Sequence, residues 1–106
     1  MKQIPGFKLH PGAEQDLSEI WEYIAQDSPL SAERVRGEIV DAVRKLVNFP
    51  LRGFLRSNIT TRSLRFHVVR NFLIVYAPNK KPIVVVAVLH ASRSPRSLAA
   101  ILRGRQ

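Results

Sequence analysis

Apolar residues change their spacing twice along this chain, and the order of the three patterns leaves few folds open. Ala13, Leu17, Ile20, Trp21, Ile24 and Ala25 recur at steps of three, four and one, the stripe of a helix with one buried face. Ala32, Val35, Ile39, Ala42, Val43, Leu46 and Val47 repeat the stripe. From Leu64 the period drops to two: Leu64, Phe66 and Val68 alternate with Arg65 and His67, as in a half-buried strand. Phe72 to Ala77 reads as a second strand. Ile83 to Leu89 is an unbroken apolar run, expected of an interior strand covered on both faces.

Punctuation residues set the boundaries. Gln3 to Leu9 reads as a short first strand, and His10-Pro11 starts a helix with proline at its first position. Asp27-Ser28-Pro29 breaks that helix, and Ser28 or Ser31 suits the cap of the next. Asn48 and Pro50 end the second helix, and two amphipathic helices with so short a link form an antiparallel hairpin. Leu51 to Thr61 lacks a period and reads as a loop around Gly53. Arg70-Asn71 is a candidate tight turn, Asn being tolerant of positive φ. Pro78 to Pro82 forms another turn, and Ser94-Pro95 starts a short final helix with Leu98, Ile101 and Leu102 on its apolar edge. The fold class expected is α+β: an N-terminal strand and antiparallel helical hairpin packed on a mostly antiparallel four-stranded sheet, with a short C-terminal helix. Residues 1–106 fit a single domain.

Charge divides this domain in two. All eight acids lie in the first 41 residues against four bases, a net of −4. Residues 42–106 hold ten arginines and three lysines and no carboxylate side chain. Folded surfaces ordinarily mix both signs, so a one-signed half indicates an anionic partner. Arg62, Arg65, Arg70, Arg93, Arg96, Arg103 and Arg105 offer planar forks that grip phosphate or carboxylate at two points. Charge alone does not separate nucleic acid from an acidic protein.

The inventory also excludes much. There is no cysteine, hence no disulfide, thiol catalysis or cysteine metal site. The three histidines are scattered, so no metal is expected. No Gly-rich phosphate loop, paired carboxylate or nucleophile motif is present, and no cofactor is expected. The N-terminus lacks the apolar run of a signal peptide, and the seven residues Ile83 to Leu89 are too few to span a bilayer. A reducing cytoplasm is the expected address, with no membrane partner. Arg65 and His67 share a polar strand face that could hold a ligand, with His67 read as a half-exposed strand residue rather than a catalyst. His90 either ends its strand on a backbone hydrogen bond or, with Arg93 beside it, serves phosphodiester chemistry as proton carrier next to a charge stabiliser. Trp21 fits the buried face of the first helix. The stretch Arg93 to Gln106 either closes the sheet or docks a partner.

Six short motifs, in order, resemble the RelE/ParE toxin superfamily, most closely its ParE branch. His10-Pro11-Gly12-Ala13-Glu14-Gln15-Asp16-Leu17-Ser18-Glu19-Ile20-Trp21-Glu22-Tyr23-Ile24-Ala25 is similar to the family's first helix. Asp27-Ser28-Pro29 with Arg34-Val35, and Leu46 with Pro50 and Gly53, resemble the bounds of its second. Leu64-Arg65, Val69 and Phe72-x-Ile74-x-Tyr76 look like its first hairpin, and Val88-Leu89-His90-Ala91-Ser92-Arg93 like its signature after the last strand. The resemblance implies the toxin of a type II toxin–antitoxin pair, held by a cognate acidic antitoxin in a hetero-oligomer. On the ParE branch it implies a poison of DNA gyrase with no catalytic residue. Target contacts would come from Arg65, Arg70, Arg93, Arg96 and Arg103, and antitoxin contacts from Trp21, Leu98, Ile101 and Leu102. On the RelE branch it implies ribosome-dependent mRNA cleavage by Arg65, His90 and Arg93. Leu98, Ala99 and Ala100 stand where that branch often has a ring acid or base, and Ser94 stands where ParE-like chains tend to carry an acid. A silenced toxin acting only as antitoxin partner or co-repressor is the third alternative.

Overall fold

A computed structural model describes residues 6–106. The elements run β1 (Phe7–Leu9), α1 (Pro11–Ala25), α2 (Pro29–Asn48), β2 (Arg65–Val69), β3 (Phe72–Ala77), β4 (Ile83–His90) and α3 (Pro95–Arg103). Of the expected first strand, Phe7–Leu9 is strand, and the Gln3 to Pro5 portion lies outside the described residues. Each helix starts where a cap and a proline coincide. His10 Nδ1 accepts from Gly12 N at 2.9 Å, Ser28 Oγ from Ser31 N and Ser94 Oγ from Ser97 N, each answering an amide that the first turn leaves unpaired.

The sheet order is β1-β4-β3-β2, antiparallel except for the parallel β1–β4 pair. It separates two cores. On one face α1 and α2 bury Ala13, Val35, Ile39, Val43 and Leu46 against Phe72, Ile74, Tyr76, Val85 and Val88. On the other, Leu98 and Leu102 of α3 close over Phe66, Leu73, Val75, Val86, Ala87 and Leu89, with Ile59 and Leu64 of the preceding loop. The unbroken apolar run of β4 is therefore that of a strand between two cores. A bulge explains its local order: Val75 pairs with Ala87 and Tyr76 with Val85, leaving Val86 unpaired. The extra residue shifts the alternation, so that Val85 and Val88 face one core while Val86 and Ala87 face the other.

Two details differ from the sequence expectation. The β2–β3 turn is indeed Arg70-Asn71, but the positive φ (55°) falls on Arg70 rather than on the asparagine. Trp21 is half-buried outside both cores, its indole Nε1 donating to Glu33 Oε2 at 3.2 Å. The inward face of α1 is carried instead by Ala13, Asp16, Leu17, Ile20 and Ile24. Among the described residues no helix is long and apolar enough to cross a membrane.

Candidate functional site

Among the described residues Asp16 is the buried charged one, 7% exposed at the middle of the inward face of α1. Beyond Val85 the edge of β4 has no neighbouring strand among the described residues, because β1 ends at Leu9 and the chain turns at His10 into α1. Unpaired edge groups need partners once water is excluded. Asp16 Oδ2 accepts from Val88 N at 2.9 Å, and Arg105 Nη1 donates to Val86 O at 3.2 Å. Arg105 also grips both oxygens of Asp16, at 2.5 and 2.9 Å. That hydrogen bond raises the guanidinium's pKa above its ordinary value, burial opposing it. Two side chains 89 residues apart thus substitute for an edge strand and lock the C-terminal segment to α1. Gly12 lets the guanidinium lie close, since a Cβ there would fall 2.4 Å from Arg105 Nε.

Above this pair lies a groove of about 600 Å³. Its walls are the second half of α1 (Glu19, Ile20, Tyr23, Ile24), the start of α2 (Ser31, Val35), the β2–β3 turn and the end of β4 with His90 and Arg93. Apolar side chains form the floor, and charges of both signs stand at the rim. Tyr23 is 77% exposed on its lip. Arg70 is held across the groove's end by a bidentate pair with Glu38, 2.5 and 2.7 Å. The same hydrogen bond holds the Glu38 carboxyl below its ordinary value.

The seven arginines singled out in the sequence separate into two groups. Four are engaged by the protein's own acceptors, Arg70 at the surface and the other three partly buried. Arg62 donates to Leu102 O at 2.9 Å, Arg65 to Leu51 O and Gly53 O at 3.3 and 2.7 Å, Arg70 to Glu38 and Arg105 to Asp16. Arg93 donates to the hydroxyl of Ser97, at 3.2 Å. Arg96 and Arg103 stand exposed on α3. Of these seven, the three without an acidic or backbone partner among the described residues stand on or just before α3.

The other expected site residues are placed as follows. Leu98 and Leu102 are each 1% exposed inside the second core, so the protein itself covers them and leaves Ile101 half-buried at the surface. His90 is exposed; its Nε2 lies 3.3 Å from Asn71 Nδ2 and its Nδ1 2.9 Å from Ser92 Oγ. Its ring meets Phe72 edge-on at 5.5 Å. His67 is half-buried, and burial, followed by the charges of Arg52 and Lys45, pushes its pKa down. Arg65 pairs in register with Tyr76, whereas His90 pairs with Phe72. Four residues of β3 at about 3.3 Å each separate the two by roughly 13 Å along the sheet. Arg65, His90 and Arg93 therefore do not converge on one point. Sequence reading took Arg105 for a fork facing a partner and missed Asp16, although a carboxylate inside an apolar helical stripe was the available signal.

Comparison with known proteins fits this architecture. The model of the family "ParE toxin of type II toxin-antitoxin system, parDE" matches residues 7–95. Two relatives called "Toxin ParE2", from Mycobacterium tuberculosis strains CDC 1551 / Oshkosh and ATCC 25618 / H37Rv, are each 28% identical over 103 residues, covering 92% of this chain and 92% of theirs. A solved structure titled "Chromosomal ParDE TA system from P. aeruginosa" superposes with a TM-score of 0.68 at 20% identity, covering 81% of this chain and 95% of that one.

Proposed function

The chain belongs to the ParE toxin family of type II toxin–antitoxin systems, and from that membership we propose that it arrests growth by binding DNA gyrase directly, with no reaction of its own, and that an acidic antitoxin neutralises it. The observation that carries the first part is the dispersal of the candidate catalytic trio. A single scissile phosphate needs its donors within about 3 Å. Arg65 is spent on the carbonyls of Leu51 and Gly53, at the opposite end of β3 from His90. Both ring nitrogens of His90 meet neutral partners. This arrangement favours a binding surface over the competing reading of ribosome-dependent mRNA cleavage.

The antitoxin is assigned to the groove. Its apolar floor of Ile20, Ile24, Val35 and Phe72 suits the apolar side of an amphipathic segment. Arg93 at the mouth would receive a carboxylate, and neither Trp21 nor Ile101 lines the groove. A structural neighbour solved as a toxin–antitoxin system supports such a partner. Arg96 and Arg103, outward on α3, are left for the target. Induced expression, with DNA and mRNA followed in parallel, tests the reading. Broken chromosomal DNA with intact mRNA is expected; cleaved mRNA with intact DNA would overturn it.

A further inference from the structure

The connection from α2 to β2 exposes four large apolar side chains within seven residues: Phe49 (63%), Leu51 (66%), Phe54 (43%) and Leu55 (64%). A loop that merely frayed would not be tied down, and this one is. Tyr76 Oη donates to Pro50 O and accepts from Gly53 N, both at 2.8 Å. Arg65 holds the carbonyls of Leu51 and Gly53, and Phe54 exchanges both backbone hydrogen bonds with Phe66 at 2.9 and 2.8 Å. Gly53 permits this approach, because a Cβ would stand 2.6 Å from Tyr76 Oη. The backbone is thus fixed inward while the apolar side chains are held in water. Exposed apolar clusters of this kind mark contact surfaces, and a loop ordered before binding loses less entropy on association.

Its charge selects the partner. Lys45 and Arg52 are exposed beside the cluster, Arg56 is half-buried, and the charges of Arg52 and Lys45 reach His67. The nearest carboxylate in sequence, Asp41, is already paired with Arg44 at 3.4 Å. A second copy of this chain would bring like charges together. Nucleic acid would make little use of Leu51 and Leu55, and Phe54 already lies against Phe66, centroids 6.1 Å apart. An acidic protein surface with apolar residues fits both properties. The loop lies at the C-terminal end of α2, whereas the groove lies at its N-terminal end. A helix of 20 residues spans about 30 Å, so a segment seated in the groove leaves the loop uncovered.

We propose that the loop from Phe49 to Leu55 is the docking surface for an acidic, partly apolar protein surface on the toxin's target, separate from the antitoxin groove. The proposal rests on the reading of the chain as a toxin that acts by contact, but not on gyrase being the target.

The test compares the wild-type chain with a loop variant, Leu51→Ser/Arg52→Glu/Leu55→Ser, and a groove variant, Tyr23→Ala. All four positions are exposed, and equal thermal melts establish that each variant folds. Inhibition of supercoiling by purified gyrase and growth arrest on induction are both measured. The loop variant is expected to need on the order of 30-fold more protein for half-inhibition, as for loss of an interface hot spot, and to let cells grow. A loop variant as potent as wild type overturns the proposal. So does a groove variant that alone loses potency, which would place the target in the groove. If the wild-type chain arrests growth without affecting gyrase, the gyrase reading fails and growth arrest alone judges the loop. A wild-type chain that does neither has no target to dock, and the proposal falls with it.

Discussion

Removing the Arg105 guanidinium should destabilise the whole domain, although the residue is next to last in the chain. In Arg105→Ala, Asp16 keeps its hydrogen bond from Val88 N but loses the cation that holds both of its oxygens. Stripping the partner from a buried charge typically costs 3–5 kcal/mol; Arg105 retains 17% exposure, so water reaches part of the site and about 2–4 kcal/mol is expected. At roughly 4 °C per kcal/mol for a domain of this length, the melting temperature should fall by about 8–16 °C. Urea unfolding followed by circular dichroism measures the free energy, and the cycle with Asp16→Ala and the double variant measures the coupling. The double variant should be more stable than additivity predicts by about 1–3 kcal/mol, because it leaves no unpaired buried charge. Sodium chloride at high concentration should change little, in contrast to an exposed pair. An Arg105→Ala loss below about 0.5 kcal/mol, the range of an ordinary surface substitution, would refute the reasoning and show the C-terminal segment to be dispensable.

Three further outcomes follow from the same contacts. Gly12→Ala should displace the Arg105 side chain from Asp16, destabilise the fold, and add little when combined with Arg105→Ala; urea unfolding of the three variants checks this. Tyr76→Phe leaves Pro50 O and Gly53 N without their partner, at about 1–3 kcal/mol, and limited proteolysis should cut faster between Phe49 and Leu55. The lowered pKa of His67 means the unfolded chain binds its proton more readily than the folded one. Its stabilising contribution is therefore present above about pH 6.5 and lost as the pH falls through the lower folded value. Thermal melts between pH 7 and pH 5 should show a drop that His67→Gln reduces.

Much of the architecture was written in local patterns. Pro11, Ser28-Pro29 and Ser94-Pro95 placed three helix starts because capping and proline geometry act within a few residues. The change of period at Leu64 placed the β2–β3 hairpin for the same reason. What depends on distant partners was not legible. A count of arginines does not tell a free cation from one engaged by the protein's own acceptors, and Arg62, Arg65, Arg70 and Arg105 proved to be engaged. Asp16 belongs to the apolar stripe of α1 by position, yet its role depends on a residue at the other end of the chain. Trp21 was misplaced because the narrow α1 stripe could be centred one residue away, on Asp16, Ile20 and Ile24 instead. The bulge at Val86 hides in a run where every residue is apolar and alternation carries no information.

A ParE-family chain that acts by contact rather than by catalysis should inhibit its target without any proton carrier of its own. The most direct measurement is a titration of purified gyrase in a supercoiling assay with wild-type protein and the His90→Ala variant side by side. Both proteins are expected to block supercoiling at the same concentration, with gyrase trapped on cut DNA. Full supercoiling in the presence of excess wild-type protein, or inhibition that vanishes with His90→Ala in a folded chain, would contradict it.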